Sequence, residues 1–324
     1  MMNKKIIPIL LTGAAWILSG CSLGIAESDS SNRTAEDVGT EIVLELSPSP
    51  EDSDQEPLMG DEIDLTASAD DAVTYLNSGR DHLLNGRYDF AIADFDIALT
   101  MDPLKAEVYY YRGLAFYHKE DFQRAISNFD QAVALDPADS EGFFWRGRAY
   151  YKLKDYERAI ENFDRGIKII PTDPDLYYYR GRSNYKLKDY QNAITDLGRA
   201  IALDPGHDKA YYYRGRAYYK VGDFQNAILD EGKVIAINPE FYKAYYYQGR
   251  AYYKIDEYAS AVNDFDYVLS MEPNHARTYF YRGRAYAKMD QYEAAIADLL
   301  RAIELGLPAS SQRKAETVLD EMGY

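Results

Sequence analysis

AEVYYYRGLAFYHKEDFQRAISNFDQAVALDPAD, residues 106–139, decides how this chain folds. Tyr109, Arg112, Gly113 and Phe116 fall at i, i+3, i+4 and i+7, one face of a first helix. Glu120 and Asp121 open a turn, and Phe122, Ala125, Ile126, Phe129 and Val133 repeat the helical spacing. Pro137, just beyond Leu135, ends the second helix, because proline neither donates a backbone N–H nor continues the ladder. The segment predicts two short amphipathic helices, a helical hairpin.

The hairpin recurs. Gly79, Gly113, Gly147, Gly181, Gly215, Gly249 and Gly283 are spaced 34 residues apart without a slip. Pro103, Pro137, Pro171, Pro205, Pro239 and Pro273 keep the same beat, and Ala91, Ala125, Ala159, Ala193, Ala227, Ala261 and Ala295 repeat on the second helices. An unbroken period of this size means an array of one unit, each copy stacked on its neighbours. Seven units follow, over 72–105, 106–139, 140–173, 174–207, 208–241, 242–275 and 276–309. Beyond them Ala315, Val318, Leu319 and Met322 fall at i, i+3, i+4 and i+7 within 310–324, with charged residues on the other side. That pattern predicts a helix capping the open end of the array. The fold class is all-α.

Residues 179–190, Tyr-Arg-Gly-Arg-Ser-Asn-Tyr-Lys-Leu-Lys-Asp-Tyr, with the later Ala-Ile and Pro, carry a family pattern. The region 72–309 resembles the tetratricopeptide repeat, Asn184 departing at a usual aromatic. The resemblance implies a right-handed superhelical solenoid of seven hairpins whose first helices line a concave ligand groove. Gly181 is expected to face Ala193 and let the paired helices approach closely. Arg112, Arg146, Arg180, Arg214 and Arg282 precede glycines on the packing side. A partly buried arginine needs a partner, so each is expected to pair with Asn128, Asn162, Asp196, Asp230 or Asp298. One unit breaks the pattern: Glu231-Gly232 replaces the Phe129-Asp130 type of pair, placing an acid and a helix-weakening glycine there, a local soft spot.

A second stripe runs along the first helices, off the glycine face. It reads Phe144, Arg148, Tyr151 and Lys152, then Tyr178, Arg182, Tyr185 and Lys186, then Tyr212, Arg216, Tyr219 and Lys220. Tyr246, Arg250, Tyr253 and Lys254 follow, and the seventh unit gives Phe280, Arg284, Ala287 and Lys288. By the resemblance these positions line the groove. Arginine forks bind carboxylate or phosphate, and aromatic rings add stacking or cation–π contacts. Asp155, Asp189 and Asp223 stand near enough in sequence to neutralise the stripe, and tyrosines at helical spacing can also be packing. Glu107, Glu141 and Asp175 at the starts of early first helices give way to Lys209, Lys243 and Arg277, so the cationic end of the groove is expected in units five to seven.

The net charge of −17 is unevenly placed. Residues 1–70 hold three basic and fourteen acidic residues, and the remainder holds 33 and 39. Lys4 and Lys5 precede an apolar stretch from Ile6 to Gly20, which reads as a signal peptide over 1–20. Leu18-Ser19-Gly20-Cys21 resembles the lipobox of bacterial lipoproteins, which implies cleavage before Cys21 and its lipidation. Residues 22–70, rich in Ser, Asp, Glu and Pro, cannot repay the cost of ordering and are expected to form a disordered acidic tether from the lipidated Cys21.

The four histidines, His82, His118, His207 and His275, have no metal-ligand spacing, and no phosphate loop or nucleophile elbow occurs. The sequence therefore predicts no enzyme and no cofactor. It predicts a scaffold lipid-anchored outside the cytoplasm, to the cell or outer membrane of a bacterium, that binds an acidic segment of a partner protein. An anionic polysaccharide or cell-wall polymer is the alternative ligand. A Tyr/Arg groove would also suit nucleic acid, but export argues against it.

Overall fold

The computed structural model describes residues 69–324. The signal peptide, Cys21 and the tether lie outside the described residues. Fifteen α-helices occur among them. The first helices of the units are α1 (Ala69–Leu84), α3 (Ala106–His118), α5 (Ser140–Lys152), α7 (Pro174–Lys186), α9 (Asp208–Val221), α11 (Tyr242–Lys254) and α13 (Ala276–Lys288). They alternate with second helices α2 (Tyr88–Met101), α4 (Phe122–Leu135), α6 (Tyr156–Ile169), α8 (Tyr190–Leu203), α10 (Phe224–Ile237), α12 (Tyr258–Met271) and α14 (Tyr292–Glu304). The final helix, α15 (Ala309–Glu321), buries Ala315 and Leu319 against α13 and α14. Its apolar face is the one read from the spacing.

Local chemistry sets the ends of each helix. Asp121, Asp155, Asp189 and Asp223 each accept the backbone N–H three residues on, capping α4, α6, α8 and α10. The residue just before each of these caps is left-handed: Glu120, Lys154, Lys188 and Gly222 have φ of 60°, 64°, 67° and 88°. Only Gly222 adopts that turn without a Cβ penalty.

Within a hairpin the repeated glycine makes room for a large side chain. A Cβ on Gly113 would lie 2.7 Å from the Phe129 ring, and one on Gly147 the same distance from Phe163. Gly181 faces Leu197 and Asp196, not Ala193 as expected. The reason is register. The side chain sixteen residues on fills the helix–helix gap, whereas the repeated alanine turns its backbone there, as Ala227 and Ala295 do towards Gly215 and Gly283. Phe95, Phe129, Phe163, Leu197, Phe265 and Leu299 fill this slot and are fully buried. In the fifth unit the slot holds Glu231.

Each second helix also packs on the next first helix, and consecutive first helices touch. No two second helices touch among the described residues. The first helices therefore form the inner side of the array, where the sequence stripe lies.

A ladder of arginines joins the units. Arg146 Nε donates to Asn162 at 2.6 Å, Arg180 Nε to Asp196 at 3.0 Å, and Arg214 Nε to Asp230 at 2.8 Å. Arg112 and Arg282 make the corresponding bonds to Asn128 and Asp298, both 2.7 Å. The intra-unit pairing matches the sequence expectation. An inter-unit partner was not read from the sequence: Arg146 and Arg180 also donate, at 2.6 Å, to Asp130 and Asp164 of the preceding unit.

Candidate functional site

The stripe residues come together where consecutive first helices meet, and rings from three helices enclose each of Arg148, Arg182, Arg216 and Arg250. One ring lies four residues back on the same helix, one on the preceding first helix, and one on the next. The Arg182 guanidinium carbon lies 5.3 Å from the Tyr178 ring, 4.9 Å from Tyr151 and 4.7 Å from Tyr213. Arg250 lies 5.4 Å from Tyr246 and 4.9 Å from both Tyr219 and Tyr281. Arg216 sits between Tyr212, Tyr185 and Tyr247, the last at 4.2 Å. Arg148 sits between Phe144, Tyr117 and Tyr179, with Trp145 at 4.3 Å. The rings also meet edge to face, as Tyr178 with Tyr213 and Tyr246 with Tyr281 do, both 6.1 Å between centroids. The inner side is thus a column of alternating cations and rings, an arrangement attractive by about 0.5–2 kcal/mol per contact.

Of the stripe residues, Phe144, Tyr178, Tyr185, Tyr212, Tyr246 and Tyr253 are buried, and Arg216 is only 5% exposed. Phe144, Tyr178, Tyr212 and Tyr246 lie against the arginine of their own helix, and Tyr185 and Tyr253 reach the arginine of the next unit, so all six sit inside the array. Arg148, Tyr151, Arg182, Tyr219, Arg250 and Arg284 are half-buried and reach the groove surface, joined by Lys186. Lys152, Lys220, Lys254 and Lys288 are exposed along its rim.

The charge of this column is not cancelled by the acids near it in sequence. Asp155, Asp189 and Asp223 direct their carboxylates to helix caps and to Arg158, Asn192 and Asn226. Among the described residues Arg182, Arg250 and Arg284 make no ion pair with a carboxylate, and the Nε atoms of Arg182 and Arg250 are buried with no hydrogen-bond partner. At Arg182 burial acts to lower the pKa but does not bring it below its ordinary value, so the guanidinium stays charged. Burial raises the phenols of Tyr178, Tyr212 and Tyr246, so these rings stay neutral.

The two ends of the first helices differ as the sequence indicated. Glu107, Glu141 and Asp175 are exposed at the starts of α3, α5 and α7. Burial, with Asp173, Asp139 and Asp175 nearby, raises the Glu141 carboxyl above its ordinary value. Lys209 and Arg277 are exposed at the starts of α9 and α13, and Lys243 is half-buried in α11.

Stacked helical hairpins with a cationic, aromatic inner face define a helical-repeat scaffold. A family model described as tetratricopeptide repeat matches residues 76–140, 119–174 and 246–312, and one described as TPR repeat matches 181–222. The chain belongs to the tetratricopeptide-repeat family. Among solved structures it is similar to MamA, at 31% identity over 53% of this chain and 94% of that one, with a TM-score of 0.50. A repeat protein from Parabacteroides merdae is 17% identical over 77% of this chain and 99% of its own, TM-score 0.55. YrrB, described as a TPR protein with an unusual peptide-binding site, is 22% identical over 57% and 95%, TM-score 0.52. The last two share the fold. No curated protein sequence matches the chain.

Proposed function

We propose that the chain is a non-catalytic scaffold, held outside the cytoplasm by a lipid on Cys21, that takes an acidic segment of a partner protein along the inner face of its repeats. The observation that carries this reading is the pair Arg182 and Arg250: charged, enclosed by neutral rings, and without a carboxylate partner among the described residues. A guanidinium in low dielectric attracts an anion more strongly than one in water. The exposed lysines of the rim extend the same sign of charge outward. The peptide-binding site described for YrrB is consistent with a groove of this kind. A polysaccharide would need open ring faces for stacking, and here Tyr178, Tyr212 and Tyr246 are buried, which favours the peptide.

Titration of the full chain with acidic peptides, with anionic glycans as competitors, tests the groove. Lys220→Glu with Lys254→Glu changes only exposed residues and should weaken peptide binding at least about tenfold at low salt. Arg182→Glu with Arg216→Glu should abolish it. Unchanged affinity in both double variants, or glycan binding without peptide binding, would overturn the reading. For the anchor, the wild type should take up labelled palmitate and Cys21→Ala should not; equal label in the two would exclude lipidation there.

A further inference from the structure

The column of rings and cations ends unfinished. Arg80 has the Tyr111 ring of the next unit at 4.8 Å, and Arg148, Arg182, Arg216 and Arg250 likewise meet Tyr179, Tyr213, Tyr247 and Tyr281. Among the described residues Arg284 meets only Tyr253 at 5.0 Å and Phe280 at 5.3 Å. The same step along the sequence reaches Ala315, in α15, which packs on α13 and α14 where another first helix would stand. A second ring is missing beside it. Tyr151, Tyr185, Tyr219 and Tyr253 have Ala287 as their counterpart in the seventh unit.

Beside Ala287 lies a cavity of about 570 Å³ between Tyr253 of α11, α13, the start of α14 and α15, within the size range of ligand sites. Ala287 lines it, and so do Val318 and Met322 of the capping helix. Three cations, Arg284, Lys288 and Lys314, stand on its wall against one acid, Glu321. The cavity therefore offers a recess beside Ala287 with apolar side chains on part of its wall, an arginine that meets rings from two helices instead of three, and a surplus of positive charge.

We infer that this cavity is a specificity subsite that takes one aromatic side chain, flanked by carboxylates, from the acidic partner segment. The ring completes the cage of Arg284 in the way Tyr213 completes that of Arg182, and the flanking carboxylates meet Lys288 and Lys314. The inference rests on the groove reading and sharpens it, because it makes the partner's sequence selective at one position. The chain's own acidic stretch cannot satisfy the site, since residues 22–70 contain no Phe, Tyr or Trp.

Calorimetric titration of the full chain with Glu-Asp-Phe-Asp-Glu and with its Leu counterpart tests the subsite. The Phe peptide should bind about tenfold more tightly, the scale of a desolvated cation–π contact with ring burial. Ala287→Tyr installs the residue that five other units carry, so helicity and melting temperature should be kept while the preference for Phe disappears. Lys314→Glu, an exposed change outside the repeats, should weaken the Phe peptide in the same assay. Equal affinity for the two peptides, or a Phe preference that survives Ala287→Tyr, overturns the subsite and leaves the groove reading standing. Failure of both peptides to bind overturns both.

Discussion

The joints on either side of α7 and the joints on either side of α11 have the same helices, the same period and different chemistry. Around α7, Arg180 bridges Asp164 of one unit and Asp196 of its own, and Leu197 fills the slot beside Gly181. Around α11 three positions differ, while Asp264 and Phe265 keep the places of Asp196 and Leu197. Gln248 replaces the arginine, Gly232 replaces the bridging aspartate of the preceding unit, and Glu231 stands in that unit's slot where Phe163 stands before α7. Gln248 donates to the backbone oxygen of Ile228 at 3.0 Å, leaving Asp264 buried without an arginine. Burial alone raises Asp264 to about 7. Glu231 is 1% exposed, neither carboxyl oxygen has a hydrogen-bond partner, and burial holds it well above the ordinary carboxylate range. The helices still pack alike at both places. Apolar contact and the period set the shape of the array, and the polar ladder sets how firmly each joint is held.

The contrast can be broken from the firm side first. Arg180→Ala strands the buried Asp196 and should cost about 3–5 kcal/mol, the usual result of removing one partner of a buried pair. Gln248→Ala should cost far less, on the order of 1 kcal/mol for one neutral hydrogen bond. Urea unfolding of the two variants, followed with hydrogen exchange in α8 and α12, checks the difference; equal losses would dissolve the comparison.

The slot can be repaired next. Glu231→Leu places the side chain of Leu197 and Leu299 into the fifth unit and should stabilise α9 and α10 by about 1–4 kcal/mol. A lower melting temperature for this variant would mean that Glu231 has a partner that matters more than its burial.

A smaller effect appears in the pH dependence. An unfolded aspartate titrates near ~3.9, and folded Asp264 near about 7. Between these values the folded state keeps a proton that the unfolded state has released. The stability is therefore fully present below ~4, falls as pH rises, and is lost above about 7. Glu231 acts in the same direction. Gln248→Arg, which supplies the missing counter-charge, should flatten this fall and add about 1–2 kcal/mol at pH 8. Thermal melts of the two proteins at pH 5 and pH 8 measure it, and parallel curves would show that Asp264 is not the group responsible.

Much of this molecule was legible from one 34-residue unit. The hairpins, their ends, the capping helix and the pairing of Arg146 with Asn162 all follow from spacing within a unit. The second partner, Asp130, was not legible, because on its own helix it reads as a solvent-facing acid; only stacking of units brings it to Arg146. That the stripe falls where consecutive first helices meet follows from the same helical spacing. Whether its rings were open or buried depends on side chains from three helices, which a pattern within one helix does not contain. Ala287 was visible as a departure from the stripe, but the far wall of the cavity it opens belongs to α15.

The absence of contact between successive second helices has a mechanical meaning. Neighbouring units are therefore coupled through the inner column, through the seam between each second helix and the next first helix, and through the arginine ladder that crosses it. Guanidinium–ring contacts tolerate small sliding better than directional hydrogen bonds do. The joint before α11, where the ladder is interrupted, is the one at which sliding meets the fewest directional bonds.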